Sequence, residues 1–152
     1  MYVFDTSALI EAWVRSYPPD SFPGFWVRMD EIVRSGHVVS PEAVLDELRV
    51  RDDDLHEWVK KRGESIIRPT SRELMYETRL ILASHPTLTK TGTGRSAADP
   101  FVIALAASCG CPLVTQEKGG SVSKPRIPYV CGDRGVRCID LLAFIRAEGW
   151  TF

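Results

Sequence analysis

The chain opens on an apolar run broken by one acid: Tyr2-Val3-Phe4 leads into Asp5, then the hydroxyls Thr6 and Ser7, then Ala8-Leu9-Ile10. This pattern predicts a short buried strand over 2–4 with a carboxylate at its C-terminal tip. Residues 16–25 hold Pro18, Pro19, Pro23 and Gly24, a loop signature, with Tyr17, Phe22 and Phe25 to pin the loop to a core. Apolar residues then recur at Trp26, Met29, Ile32 and Val33, the period of a helix over 26–35 that Gly36 ends. His37-Val38-Val39 predicts a second strand, with Ser40 as N-cap and Pro41 as first residue of a helix burying Val44, Leu45 and Leu48. Asp52, Asp53 and Asp54 break that helix, and another comes next with Leu55, Trp58 and Val59. Ile66-Ile67 reads as a short strand. Ser71 caps a helix carrying Leu74, Met75, Thr78, Ile81 and Leu82.

Residues 86–96 lack apolar periodicity and read as a mobile loop. Ala97-Ala98-Asp99-Pro100 then opens a helix that is apolar or small on nearly every side, so it belongs at the centre of the molecule. Pro112-Leu113-Val114-Thr115 predicts a strand with Glu117 just beyond it. Ile127-Pro128-Tyr129-Val130 reads as an edge strand, where proline is tolerated, and the last helix spans 139–148. Strands alternate with helices. The expected fold is α/β: a three-layer α/β/α domain over 1–152 with a mainly parallel sheet of four to five strands.

Composition changes this picture little. The 152 residues are 44% hydrophobic and 26% charged, the mixture of a globular core. No apolar run approaches the roughly 18 residues that span a bilayer, and the N-terminus has no signal-peptide pattern. The expectation is a cytoplasmic protein without a membrane partner. Net charge is −1, so no strong basic field points to nucleic acid. Fourteen of the 19 basic residues are arginine, which suits bidentate phosphate contacts and equally suits an ordinary surface. Cys109, Cys111, Cys131 and Cys138 lack the spacing of a zinc ribbon and read as free thiols.

Four acids fall where elements begin or end: Asp5, Glu47, Asp99 and Glu117. In an open parallel sheet the tip of a strand faces the ligand crevice. Converging carboxylates repel one another, and they make sense as oxygen ligands for a hard cation such as Mg²⁺ or Mn²⁺. Each acid also has a plainer reading. Asp99 before Pro100 suits a helix N-terminus through the dipole. Glu47 can belong to a solvated helix face, and Glu117 beside Lys118 to an ordinary loop. Asp5 can be a capped structural aspartate held by Thr6 and Ser7.

Four blocks, in order, resemble the PIN-domain superfamily. They are Phe4-Asp5-Thr6-Ser7-Ala8-Leu9-Ile10, Val44-x2-Glu47-Leu48, Ala98-Asp99-Pro100-Phe101-Val102-Ile103-Ala104-Leu105-Ala106 and Leu113-Val114-Thr115-Gln116-Glu117. The segment Phe22-Pro23-Gly24-Phe25-Trp26 and the tail Lys124-x2-Ile127-Pro128-x2-Cys131 narrow the resemblance to a PIN-like family of small prokaryotic proteins similar to VapC-type toxins.

This resemblance implies a metal-dependent endoribonuclease, the toxin of a toxin–antitoxin pair. It would hydrolyse RNA with metal-activated water, leaving a 5′-phosphate and a 3′-hydroxyl. Asp5, Glu47 and Asp99 would be catalytic metal ligands for Mg²⁺ or Mn²⁺. Glu117 stands where many relatives carry a fourth aspartate. Thr6, Ser7 and Thr115 would orient the ligands, and Lys90 and Arg95 would contact RNA. The implied partners are an RNA substrate, an antitoxin of helix-turn-helix type and a second copy of the chain. Trp13, Tyr17 and Trp150 serve either such a dimer or the core. A catalytically inactive PIN-like scaffold is the alternative suggested by Glu117. A haloacid-dehalogenase-type phosphatase needs a second acid where Ser7 stands.

Overall fold

In the computed structural model, which describes residues 1–89 and 97–152, five short strands form one sheet. They are β1 (Tyr2–Phe4), β2 (Val38–Pro41), β3 (Ile67–Arg68), β4 (Leu113–Val114) and β5 (Cys138–Ile139), in the order β3-β2-β1-β4-β5. Every neighbouring pair is parallel, and Val3 of β1 sits opposite Val39 on one side and Leu113 on the other. The chain winds from β1 outward to β3, then returns to place β4 on the free side of β1. The winding direction therefore reverses between β1 and β4, and a crevice opens at the carboxyl ends of those two strands.

Helices cover both faces. After β1 come α1 (Thr6–Ile10), a π-helical continuation (Glu11–Ser16) and α2 (Pro23–Arg34). Between β2 and β3 run α3 (Glu42–Arg51), α4 (Asp54–Lys61) and α5 (Gly63–Ile66). Next in the chain are α6 (Arg72–Ser84), α7 (Asp99–Cys109), α8 (Ile127–Arg134) and α9 (Leu141–Ala147). The all-round apolar α7 buries residues 102–106 and packs on β1, β2, β4, α6 and α8. Side chains alternate along β1. Tyr2 and Phe4 turn to the opposite face from Val3, and Phe144 of α9 meets both rings edge-on at 4.9 Å. Fully burying a phenylalanine stabilises by about 1.5–3 kcal/mol, so Phe144 is a main fastening of the second helical layer. Among the described residues no helix is long and apolar enough to cross a membrane.

The aromatic residues pack within the chain. Tyr17 stacks on Phe25 at 4.5 Å, and Trp26 Nε1 donates to the Tyr17 carbonyl at 2.7 Å. Trp13 lies against Trp26 and Trp58, and Trp150 against Phe25 and Phe144.

Several local expectations change. Residues 127–130 begin helix α8 rather than an edge strand; Pro128 stands in its first turn, where a missing N–H costs nothing. The edge beside β4 is taken by β5, whose Ile139 is the first residue of the expected last helix. Ser40 is a strand residue, not an N-cap: its Oγ donates to the Phe4 carbonyl at 2.7 Å, and α3 starts at Glu42. Helix α2 starts three residues early, at Pro23. Of residues 86–96, the stretch 86–89 forms a turn anchored by the buried Leu88. Lys90 and Arg95 lie outside the described residues.

Candidate functional site

Asp5 leaves the carboxyl end of β1 and caps α1. It is 3% exposed, and its Oδ2 accepts from the Ser7 N–H (3.4 Å), Ser7 Oγ (2.7 Å) and Thr115 Oγ1 (3.0 Å). Each hydroxyl has one proton. With both protons directed at Asp5, the hydroxyl oxygens are left as acceptors. Ser7 Oγ takes the Gln116 N–H at 3.0 Å, and Thr115 Oγ1 takes the Glu117 N–H at 3.1 Å. This web stitches α1 to the end of β4 across the switch point. Burial pushes the Asp5 carboxyl above its ordinary range, against the pull of the Ser7 and Thr115 hydroxyls.

Glu47 projects from α3 and is half-buried. Its Oε1 accepts from the Ala98 N–H at 2.8 Å, tying α3 to the residue before α7. Burial raises its pKa; the Ala98 N–H and the Thr6 hydroxyl lower it, and the charges of Asp5 and Glu117 raise it further. Thr6 Oγ1 is buried without a partner at hydrogen-bond geometry among the described residues, so its help to Glu47 is electrostatic proximity rather than a formed bond.

Asp99 is the first residue of α7 and is 5% exposed. Its carboxyl is pushed up to about 9, first by burial, then by the charges of Glu117, Asp5 and Glu47, with Arg126 pulling back. Glu117 comes after β4 and Thr115, half-buried. Its Oε2 accepts from the N–H of Ile127, the first residue of α8, at 3.2 Å. Burial raises it too, as does Asp5, against the Ile127 N–H and Arg126.

The fold thus gathers four acids from the starts of α1 and α7, the middle of α3 and the end of β4 into one electrostatic neighbourhood. Like charges in a half-dry crevice raise one another's pKa values, and a positive charge reverses that. All four donors are hard oxygens, the set that suits Mg²⁺ or Mn²⁺. Among the described residues no three of them bring ligand oxygens within 4.8 Å of one another. Mg²⁺ keeps several waters and binds through one or two carboxylates, so it does not require three of these side chains to close together.

Two contributors are invisible in sequence. Arg126, at an unspecified position of the Lys124-x2-Ile127 tail, is a cation whose charge reaches both Asp99 and Glu117. Gln116 turns its Oε1 to the Leu141 N–H at 3.0 Å, fixing the end of β4 to α9. Only the tertiary contact identifies either.

Residues 2–152 match a protein family described as a domain of unknown function (DUF4411). No curated protein matches the chain. Among solved structures it is similar to FitAB bound to an IR36 DNA fragment, with TM-score 0.57 and 16% identity over 93% of this chain and 95% of that one. It is similar to FitAcB from Neisseria gonorrhoeae, with TM-score 0.53 and 16% identity over 93% and 99%. It is also similar to VapBC2 from Rickettsia felis bound to a DNA fragment from their promoter, with TM-score 0.52 and 12% identity over 91% and 97%. At such identities the likeness shows the fold alone, a three-layer α/β/α arrangement of PIN-like type.

Proposed function

We propose that this chain, which belongs to the family described as a domain of unknown function (DUF4411), is a metal-dependent endoribonuclease and the toxin of a toxin–antitoxin pair. The observation that carries the reading is the convergence of Asp5, Glu47, Asp99 and Glu117 at the switch point of a PIN-like sheet, each raised by burial and three of them by one another's charge. These four would hold Mg²⁺ or Mn²⁺, which would supply charge neutralisation, a phosphate contact and activation of water for in-line attack.

The chain's own residues prepare that chemistry. Ser7 and Thr115 fix the Asp5 carboxylate, the Ala98 N–H fixes Glu47 and the Ile127 N–H fixes Glu117. Groups locked in this way meet a ligand without reorganising. Burial and the neighbouring acids raise the Asp99 carboxyl to about 9, so a cation would compete with its proton and affinity would rise with pH. Arg126 supplies a positive charge at the rim for an RNA phosphate.

Residues 1–152 act as one nuclease domain in the cytoplasm. FitAB and VapBC2 are complexes bound to DNA fragments. By that likeness the chain pairs with an antitoxin, of helix-turn-helix type, that blocks the acidic crevice with an Arg or Lys. A homodimer completes the assembly.

The Ser7 hydroxyl, donating to Asp5 where a phosphatase needs its second acid, counts against a haloacid-dehalogenase-type reaction. The feature that favours an inactive binding module is Glu117, a glutamate where the PIN resemblance implies an aspartate. Induced expression separates the readings. Wild type arrests growth and accumulates RNA fragments, and Asp5→Asn does neither. Arrest that persists in Asp5→Asn, or wild type that cuts no RNA with Mg²⁺ or Mn²⁺, overturns the proposal.

A further inference from the structure

We infer that the corner between α3 and α4 is a second cation site, for a borderline transition metal such as Zn²⁺, built from Asp52, His56 and Glu57. Nothing in the nuclease reading requires it. Ligand atoms of these three residues lie within 4.8 Å of one another, and among the described residues no other group of three His, Cys, Asp or Glu side chains closes this far. His56 is 5% exposed, and its Nδ1 is buried without a hydrogen-bond partner among the described residues. That nitrogen faces Asp52 Oδ1 at 3.6 Å and Glu57 Oε1 at 4.0 Å, beyond hydrogen-bond range and aimed into the space between the carboxylates.

A buried imidazole nitrogen with no partner is costly, and the two acids it faces are of complementary character. Among the described residues Asp52 and Glu57 pair with no Lys or Arg, whereas the adjacent Asp53 is occupied by Arg51 Nε at 2.9 Å and by the His56 N–H at 3.2 Å. Asp52 stands 82% exposed and Glu57 50% exposed, so an ion has an open path and room for water. One imidazole with two carboxylates suits Zn²⁺ and its neighbours better than Mg²⁺, which prefers oxygen alone. Asp52 ends α3, the helix that carries Glu47, so a bound ion fastens that helix to α4.

The test uses the full chain carrying Asp5→Asn and Asp99→Asn, which weakens the acidic crevice. Zn²⁺ titrated by calorimetry binds one equivalent at this corner. Asp52→Asn keeps the left-handed backbone there (φ 45°), since Asn tolerates that conformation. It weakens binding at least tenfold, as does Glu57→Gln; both positions are exposed, so folding is not at risk. His56→Gln abolishes binding. Co²⁺ in place of Zn²⁺ gives a spectrum without thiolate charge-transfer absorption. Unchanged affinity in Asp52→Asn and Glu57→Gln overturns the site, as does a Co²⁺ spectrum showing cysteine ligation.

Discussion

A single carboxyl group, that of Asp99, sets much of the expected pH behaviour. Its folded value of about 9 lies far above the ordinary 3.8. Between those values the folded chain holds a proton that the unfolded chain has lost. Its contribution to stability is therefore complete below about pH 4 and is lost as pH rises toward 9. Without divalent cation, the melting temperature falls from pH 5 to pH 9, and Asp99→Asn flattens that fall. At pH 8 the variant melts several degrees higher than wild type. Calorimetry in a chelator checks this, and an equally steep fall in Asp99→Asn would refute it. Ser40 is the second residue whose role is non-local. Its fully buried hydroxyl serves the Phe4 carbonyl, one residue from Asp5. Ser40→Ala leaves that carbonyl short of a donor and costs about 1–2 kcal/mol in urea unfolding, with an unchanged m-value.

Helix α8 is the element on which the site's far wall depends. Its first N–H holds Glu117, and its approach is set by the loop before it. Gly120 has φ 108°, and a Cβ there would stand 2.8 Å from both Arg126 N and Tyr129 Cβ. Gly119 also has positive φ, yet a Cβ there meets nothing within 4 Å. Gly120→Ala must therefore push the start of α8 away, carrying the Ile127 N–H and Arg126 with it, while Gly119→Ala bears backbone strain alone. The expected result is several-fold weaker Mg²⁺ binding in Gly120→Ala and near-normal binding in Gly119→Ala. Equal binding in the two variants would show that α8 does not position Glu117.

At the scale of the whole molecule, the sheet order brings four distant acids into one electrostatic neighbourhood, and on the proposed reading cation binding stabilises the fold by mass action. Mg²⁺ at a hundred times its dissociation constant adds about 2.7 kcal/mol. Wild type gains melting temperature accordingly, and Asp5→Asn and Asp99→Asn gain little. A wild type indifferent to Mg²⁺ would favour the inactive binding module. Much of this architecture was legible in the chain, because β1, α3, α4, α6 and α7 are set by local forces: apolar period, caps such as Ser71, breaks such as Asp52. The four acids stood out for the same reason, since a charge at the edge of an apolar run is a local anomaly. The stretch after Lys124 was not legible. Pro128 is compatible with an edge strand and with the first turn of a helix, and only the pairing of Cys138 with Leu113 decides that β5 takes the edge and residues 127–134 the helix. Ser40 looked like a cap because its nearest sequence neighbours allow one; its partner, the Phe4 carbonyl, is supplied by a strand 36 positions away. The sequence by itself thus determined the elements and the acids worth suspecting. Tertiary structure alone decided which backbone N–H groups hold them and that the charge of Arg126 reaches them, because those contacts join segments that no local period or cap relates.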